Sequence, residues 1–402
     1  MKRILILSHA LELGGAERSL IGLLDAIDPR FCEVDLFLLR HEGELMGMIP
    51  EHVHLLPQIP AYTVLARPMK DTLKEGHFLL TAARLWGKLK ATGYARRHDY
   101  KNSEVELEYS HKYLCPLMPA IQPEVEYDLA VSFLTPHYFV AEKVRAKKKA
   151  AWIHTDYTTI EIHVASELAM WQRYDCIAAI SDASAQKFAQ VFPSLREKLL
   201  VIENILPEPW IRKQAEESVE LRQTGYAILS IGRYCKAKNF DNVPDICRRL
   251  VERGIDLTWY LIGFGKEEPF IRQKIAQSGM ENRVIMLGRK ENPYPYLKAC
   301  DLYVQPSRYE GKCVSVCEAQ MLGKPVVITD YATAASQLED GVDGVIVPMD
   351  NQGCADSIAQ ILGDKEKRMG LSRNCCKRDY SNRREVEKLY ELLQIEGNRA
   401  YD

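Results

Sequence analysis

Residues 302–329 read LYVQPSRYEGKCVSVCEAQMLGKPVVIT. Leu302–Gln305 and Val326–Thr329 are short, continuous apolar runs. Between them lie a polar loop and a stretch that starts as a helix near Cys313 and stops at Gly323, before Lys324-Pro325. A glycine followed closely by a proline is a helix stop. Strand, loop, helix and strand make a βαβ unit, with its two strands parallel in one sheet. Strands covered on both faces lose the alternation of half-buried ones, so their runs read as unbroken Val, Ile and Leu.

The same kind of run recurs in both directions. In the first half the runs are Arg3–Leu7, Val34–Leu39, Leu129–Leu134, Ala150–His154, Cys176–Ser181 and Leu200–Ile202. In the second half they are Ala227–Ile231, Leu257–Ile262, Val284–Leu287 and Gly344–Val347, besides the two quoted. Leu20, Leu23, Leu24 and Ile27 follow Gly14-Gly15 at helical spacing and give the first helix, ending near Asp28-Pro29. Leu206–Gly225 holds two prolines and the charged stretch Arg212–Arg222, and a new strand starts at once after it. The reading is therefore α/β with two open sheets: residues 1–205, residues 206–380, and a last segment, 381–402. In the last segment Val386, Leu389, Tyr390 and Leu393 share a helical face that can return to the first domain. Each sheet presents loops at the carboxyl ends of its strands, and a cleft between two such edges is a natural ligand site.

The chain has 402 residues, 47% hydrophobic and 27% charged, which excludes disordered, collagen-like and disulfide-scaffold classes. With 53 basic and 55 acidic residues the net charge is -2, so no general field draws the protein to nucleic acid. The 11 Cys include no C-x-x-C pair and read as buried thiols of a reducing compartment. The opening apolar run, Ile4–Leu7, is too short for a signal peptide, and no run of about 18 apolar residues exists; a cytoplasmic protein is expected.

One segment, about 64–110, departs from the pattern. From Arg67 to Lys101, nine Lys and Arg stand against three Asp and Glu. Phe78, Leu79, Ala82, Leu85, Trp86 and Leu89 fall on one helical face, with Arg84, Lys88, Lys90, Arg96 and Arg97 around it. Two readings stand: an excursion packed on its own domain, or a basic amphipathic helix at a membrane interface through about 76–97. A second basic run, Lys143–Lys149, reads as a solvated helix end.

Four stretches carry candidate chemistry. Leu13–Ser19 sets Gly14-Gly15 at a strand-to-helix turn, where backbone amides can approach phosphate or sugar. It lacks the G-x-G-x-x-G dinucleotide fingerprint. Ser230–Asn239 puts Arg233 and Lys238 in a loop at a sheet edge, where cations can neutralise a diphosphate. In the quoted stretch, seven residues separate Glu310, in the loop, from Glu318, in the helix. Carboxylates accept hydrogen bonds from vicinal sugar hydroxyls, and the helix N-terminus favours an anion. His154 ends a strand of the first half. Each motif alone has a structural explanation; their common place at strand ends gives them weight together.

In order along the chain these elements resemble the GT4 family of retaining glycosyltransferases, which has the GT-B fold. The likeness rests on Gly232–Lys238, Gly263-Phe264-Gly265, Leu287-Gly288, Asp301–Glu318, Gly323–Val327 and Asp343–Pro348, with Gly14–Arg18 and Ala179–Ser181. It is similar to members that build bacterial capsular or other surface polysaccharides. The resemblance implies two Rossmann-like domains facing each other across a cleft, acceptor-side first and donor-side second. It implies a metal-independent hexosyltransferase, with no cofactor and a nucleotide sugar, most simply a UDP-sugar, as co-substrate. The acceptor would be a glycan or lipid-linked glycan. Arg233 and Lys238 would bind the diphosphate, Glu318 the ribose, and Glu310 and His154 the transferred sugar. Gly15 would line the phosphate and acceptor side, and amides of Cys313, Val314 and Ser315 would bind phosphate or sugar. Many members have an aromatic and a Pro or Gly where this chain has Lys312 and Cys313. The competing classes are a non-hydrolysing nucleotide-sugar epimerase, which needs no acceptor, and a catalytically silent sugar- or nucleotide-binding module.

Overall fold

A computed structural model describes residues 1–65, 67–100, 104–221 and 225–395. The sequence expectations at Lys101 and Arg222, and for 396–402, lie outside the described residues. Two compact units form: Met1–Leu206 with the chain from Arg383 onward, and Pro207–Asn382.

The first unit holds seven strands: β1 Lys2–Ser8, β2 Cys32–Leu38, β3 Val53–Leu55, β4 Tyr127–Ser132, β5 Ala146–Ile153, β6 Cys176–Ala179 and β7 Leu199–Val201. They pair in parallel in the order β3-β2-β1-β4-β5-β6-β7. The second unit holds β8 Tyr226–Ile231, β9 Leu257–Ile262, β10 Val284–Gly288, β11 Leu302–Gln305, β12 Val326–Thr329 and β13 Val345–Val347. Their order, also parallel, is β10-β9-β8-β11-β12-β13. Both are Rossmann-like orders, in which the connection reverses direction between the first strand and the fourth. The loops after β1 and β4, and after β8 and β11, therefore open into crevices at the carboxyl ends of their sheets.

The unbroken runs work as the two-face argument requires. Along β1, Leu5 and Leu7 enter one apolar core while Ile4 and Ile6 enter the other. Along β5, Ala151 and Ile153 split in the same way from Ala150 and Trp152. The three-residue β3, at the edge of the sheet, was not among the expected strands: Val53-His54-Leu55 alternates and is too short to stand out. Lys143–Lys149 is not a solvated helix end. A helix closes at Lys143, but Lys147–Lys149 lie inside β5, where Lys148 and Lys149 donate to the carbonyls of Leu392 and Ala141.

The helix Val386–Leu393 packs in the first unit. Val386, Leu389, Tyr390 and Leu393 join the core that holds Leu24 and Ile27, and the Asp28 amide donates to Tyr390 OH at 2.8 Å.

In the basic excursion the short helix Met69–Lys74 comes first, and the helices Phe78–Arg97 and Val105–Leu114 pack on one another. The contact uses the small residues. A Cβ on Gly87 would stand 2.9 Å from the Tyr109 carbonyl oxygen, and Ala91 is buried. The apolar face read from the sequence points the other way. Phe78, Leu79, Leu85, Trp86 and Leu89 are 50–76% exposed, so this face is not packed on its own domain. Among the described residues no helix is long and apolar enough to cross a membrane.

Candidate functional site

In the second unit, the loop after β8 meets the loop after β11 at the point where the strand order reverses. Several bonds fix the meeting. Asn239, in the left-handed region at φ 60°, donates from Nδ2 to the Pro306 carbonyl at 2.8 Å. The Arg308 amide donates to the Ala237 carbonyl at 2.7 Å, and its guanidinium holds both oxygens of Asp241 at 2.9 and 2.7 Å. Gly232 leaves room for the Lys238 stem, since a Cβ there would stand 3.0 Å from Lys238 Cε. Gly263 allows the next loop to come as close, because a Cβ on it would meet the Gly232 carbonyl oxygen at 1.9 Å.

These constraints bring Lys238 and Glu310 together, Nζ to Oε1 at 2.7 Å, with their side chains 17% and 12% exposed. Glu310 is itself the end of a polar chain. Tyr303 OH donates to Gln305 Oε1 at 2.6 Å, Gln305 Nε2 to Ser307 Oγ at 2.9 Å, and Ser307 Oγ to Glu310 Oε1 at 2.5 Å. Thr333 Oγ1 donates to the Glu310 carbonyl at 2.8 Å. The carboxylate is thus oriented from behind. Burial pulls the Lys238 ammonium down, but the Cys313 sulfur and Glu310 outweigh it and hold it above its ordinary value. Burial and Glu310 push the Cys313 thiol up, so Glu310 is the partner that matters at neutral pH. Arg233, on the same loop, is exposed. Lys312 donates to the Ser336 carbonyl at 3.4 Å.

Cys313 precedes the helix Val314–Met321, whose first residues are Val314 and Ser315. The Cys313 amide donates to Gln337 Oε1 at 2.6 Å. Ser315 Oγ is held by Tyr303 OH at 2.8 Å. Glu318 is fully buried in the same helix and accepts from Tyr294 OH at 2.9 Å. Glu310, Cys313, Ser315 and Glu318 therefore lie along one loop and helix, with Arg233 and Lys238 on the loop opposite.

The remaining candidates are in the first unit. Gly15 opens the helix Gly15–Ala26, after the loop that follows β1. His154 directly follows β5. Burial lowers its imidazole to about 4, so the ring is neutral at physiological pH, and its Nε2 has no hydrogen-bond partner.

His154 lines a cavity of about 230 Å³ that lies wholly in this unit. Sequence reasoning missed the rest of its polar lining. Glu108, Tyr138 and Glu167 are 6–7% exposed, and the Ser166 side chain serves both Glu108 and Tyr138 as a hydrogen-bond partner. Burial, helped by Glu108, pushes the Glu167 carboxyl up to about 8; Trp171 and Lys112 pull the other way. Burial likewise lowers His111 and His137 to about 3. A signal did exist. Glu167 falls at i, i+3, i+4 spacing with Met170 and Trp171, which puts a carboxyl on an apolar helical face. Among the described residues, no group of three or more His, Cys, Asp or Glu side chains is arranged to hold a metal ion.

Residues 211–378 match the family model of glycosyl transferases group 1. The lipopolysaccharide core biosynthesis glycosyltransferase LpsE of Rhizobium meliloti is 24% identical over 208 residues, covering 52% of this chain and 59% of that one. A diphospho-undecaprenol 4-alpha-N-acetylgalactosaminyltransferase of Campylobacter jejuni is 27% identical over 184 residues, covering 46% and 49%. The chain thus spans about half the length of the curated relatives it matches. Two solved structures share the fold over nearly the whole chain. HepE of Anabaena, in complex with UDP, gives a TM-score of 0.65 at 19% identity, covering 97% of this chain and 100% of that one. Staphylococcus aureus TarM, also with UDP, gives 0.67 at 15% identity, covering 98% and 100%.

Proposed function

We propose that this chain, which has the GT-B fold, is a GT4-like glycosyltransferase that moves one sugar from a nucleoside diphosphate to a glycan acceptor with retained configuration and without a metal ion. The carrying observation is the Lys238–Glu310 pair at the strand-order reversal of the second sheet. Charge develops on the diphosphate as the bond from sugar C1 to phosphate oxygen breaks. A preset ammonium there stabilises that charge without reorganisation. Arg233 adds a second cation with bidentate geometry. Glu310, oriented by Ser307, accepts from hydroxyls of the transferred sugar, and His154, with its neutral ring, is the first unit's candidate for a sugar hydroxyl. Glu318 holds the ribose, and the Val314 and Ser315 amides hold phosphate. In the step itself the acceptor oxygen forms the new bond to C1 on the face the phosphate leaves. The acceptor proton passes to the departing phosphate oxygen. No protein nucleophile and no cofactor are required.

UDP is the nucleotide favoured by the two solved neighbours, which carry it. The Campylobacter relative acts by name on a diphospho-undecaprenol-linked saccharide. That supports a lipid-linked acceptor in surface or capsular polysaccharide synthesis, at the inner face of the membrane. Incubation with UDP-sugars tests the reading. UDP release is expected only with acceptor, unaffected by EDTA, and the product's anomeric proton coupling matches the donor's. Acceptor-free donor conversion would instead indicate an epimerase.

The exposed face of Phe78–Arg97 supports a contact with anionic lipid. Phe78, Leu79 and Trp86 supply the apolar surface, and the exposed Lys88, Lys90, Arg96 and Arg97 supply charge for lipid phosphates. Lys90 stands 4.8 Å from the Trp86 ring centre. Trp86→Glu with Lys88→Glu is expected to abolish co-sedimentation with phosphatidylglycerol vesicles while transfer to a soluble acceptor continues. Unchanged co-sedimentation removes the membrane contact from the proposal.

A further inference from the structure

Lys238 and Glu310 are joined behind their ion pair as well as across it. One arm is the chain from Tyr303 through Gln305 and Ser307 to Glu310 Oε1. A second arm runs from Tyr303 to Lys238. Ser315 Oγ lies 2.8 Å from Tyr303 OH, Cys313 Sγ lies 3.3 Å from Ser315 Oγ, and Lys238 Nζ donates to Cys313 Sγ at 3.5 Å. With the ion pair itself, these seven side chains close a ring. Its two arms meet at Tyr303.

Counting protons gives the ring one direction. The Tyr303 hydroxyl has a single proton, and Gln305 Oε1 can only accept, so that proton goes to Gln305. Ser315 then donates to the Tyr303 oxygen at 2.8 Å rather than to the Ile231 carbonyl at 3.4 Å. The Ser315 oxygen is left to accept from the Cys313 thiol, and the sulfur accepts from Lys238. Gln305 Nε2 and Ser307 Oγ carry the sequence on to Glu310. Every bond thus runs from the ammonium towards the carboxylate. Bonds in such a row polarise one another, so losing one weakens the others.

The ring also decides which valences stay open. Ser307 and Lys238 both bond Oε1 of Glu310, which leaves Oε2 for sugar hydroxyls. An ammonium has three protons; Lys238 gives one to Glu310 and one to Cys313, and the third is left for a phosphate oxygen. The support behind this is rigid. Tyr303 lies in β11 between β8 and β12, opposite Leu229 and Val326, and Tyr303, Gln305 and Ser307 are fully buried. A group on a strand paired on both sides holds its partners more closely than a group on a loop.

We infer that Tyr303 is a positioning residue of the transfer reaction: its hydroxyl orients Glu310 by way of Gln305 and Ser307, and Lys238 by way of Ser315 and Cys313, without touching substrate. The inference rests on the glycosyltransferase reading and deepens it by naming the group that aims both members of the pair.

Tyr303→Phe removes the hydroxyl and keeps the ring. UDP is the probe, because it carries the charge that bond breaking leaves on the diphosphate; uridine, without phosphate, is the control. UDP affinity by calorimetry is expected to weaken about tenfold, the scale of one hydrogen bond, while uridine affinity by saturation-transfer NMR titration keeps its parent value. In a Lys238→Met background Tyr303→Phe adds no further loss, because members of one network are not independent. Ser315→Ala cuts the Lys238 arm one bond further on and gives the same pattern, so it decides the matter if Tyr303→Phe does not fold. Unchanged UDP affinity, equal weakening of UDP and uridine, or a full tenfold loss on top of Lys238→Met overturns the inference. Lys238 separates the two levels. UDP binding that depends on Lys238 but not on Tyr303 removes only the positioning role. Parent protein that binds no UDP, or Lys238→Met protein that binds it as tightly as the parent, removes the donor-site reading as well.

Discussion

Lys238→Met lowers sugar transfer by about 10²–10³-fold, the scale of removing one preset charge-stabilising group from a transition state. The loss falls mainly on kcat, because the charge on the departing diphosphate grows as the bond breaks. The substitution also leaves the Glu310 carboxylate, 12% exposed, beside an apolar stem instead of an ammonium. Removing one partner of a buried pair costs about 3–5 kcal/mol, and the residual exposure of this pair brings the expected cost nearer 2. Activity and stability can be told apart with Lys238→Met combined with Glu310→Gln. The double variant regains stability, because the stranded charge is gone. It does not regain transfer. Recovery of transfer in the double variant would make Lys238 a merely structural partner of Glu310.

Glu167→Gln changes how the protein responds to alkali. The folded carboxyl is raised from its ordinary 4.5 to about 8, so the folded state keeps a proton that the unfolded state releases. Stability from this group is full below about 4.5 and is lost as pH rises to about 8. The buried imidazoles act in the opposite sense. His111, His137 and His154 are lowered to about 3, 3 and 4 from 6.5, so their contribution is present above 6.5 and is lost on acidification. Above pH 6.5 the histidine contribution is constant and Glu167 stands apart from it. At about 1.4 kcal/mol per unit, the parent protein is expected to lose roughly 2 kcal/mol between pH 6.5 and 8. Urea unfolding of Glu167→Gln over that range should show little slope. Parallel slopes for the two proteins would mean that Glu167 ionises normally in the fold.

Much of the fold is legible in the chain because covered strands carry their own mark. Leu257–Ile262, Leu302–Gln305 and Val326–Thr329 stand where the unbroken apolar runs put them. Val53–Leu55 escaped notice because three residues give too little pattern. The helix Phe78–Arg97 was legible as a helix and as basic, but not in its facing. Hydrophobicity favours burying Leu85 and Trp86, yet Gly87 and Ala91 permit the closer helix contact, and close contact decided it. The candidate site divides in the same way. Lys238 and Glu310 are legible in sequence because each stands in a polar loop that follows an unbroken apolar run. Glu108 and Glu167 lie 59 positions apart and converge only through the packing of separate helices, which no local pattern records.

The helix Val386–Leu393 has a consequence for the order of synthesis. Its four apolar residues complete a core built from the first 206 residues, yet the ribosome makes the whole second unit in between. At about 5–20 residues per second that interval lasts on the order of ten to thirty seconds. Through it the nascent first unit waits with Leu24, Ile27 and their neighbours uncovered, so a chain stalled before Arg383 presents chaperones with a sticky, unfinished surface.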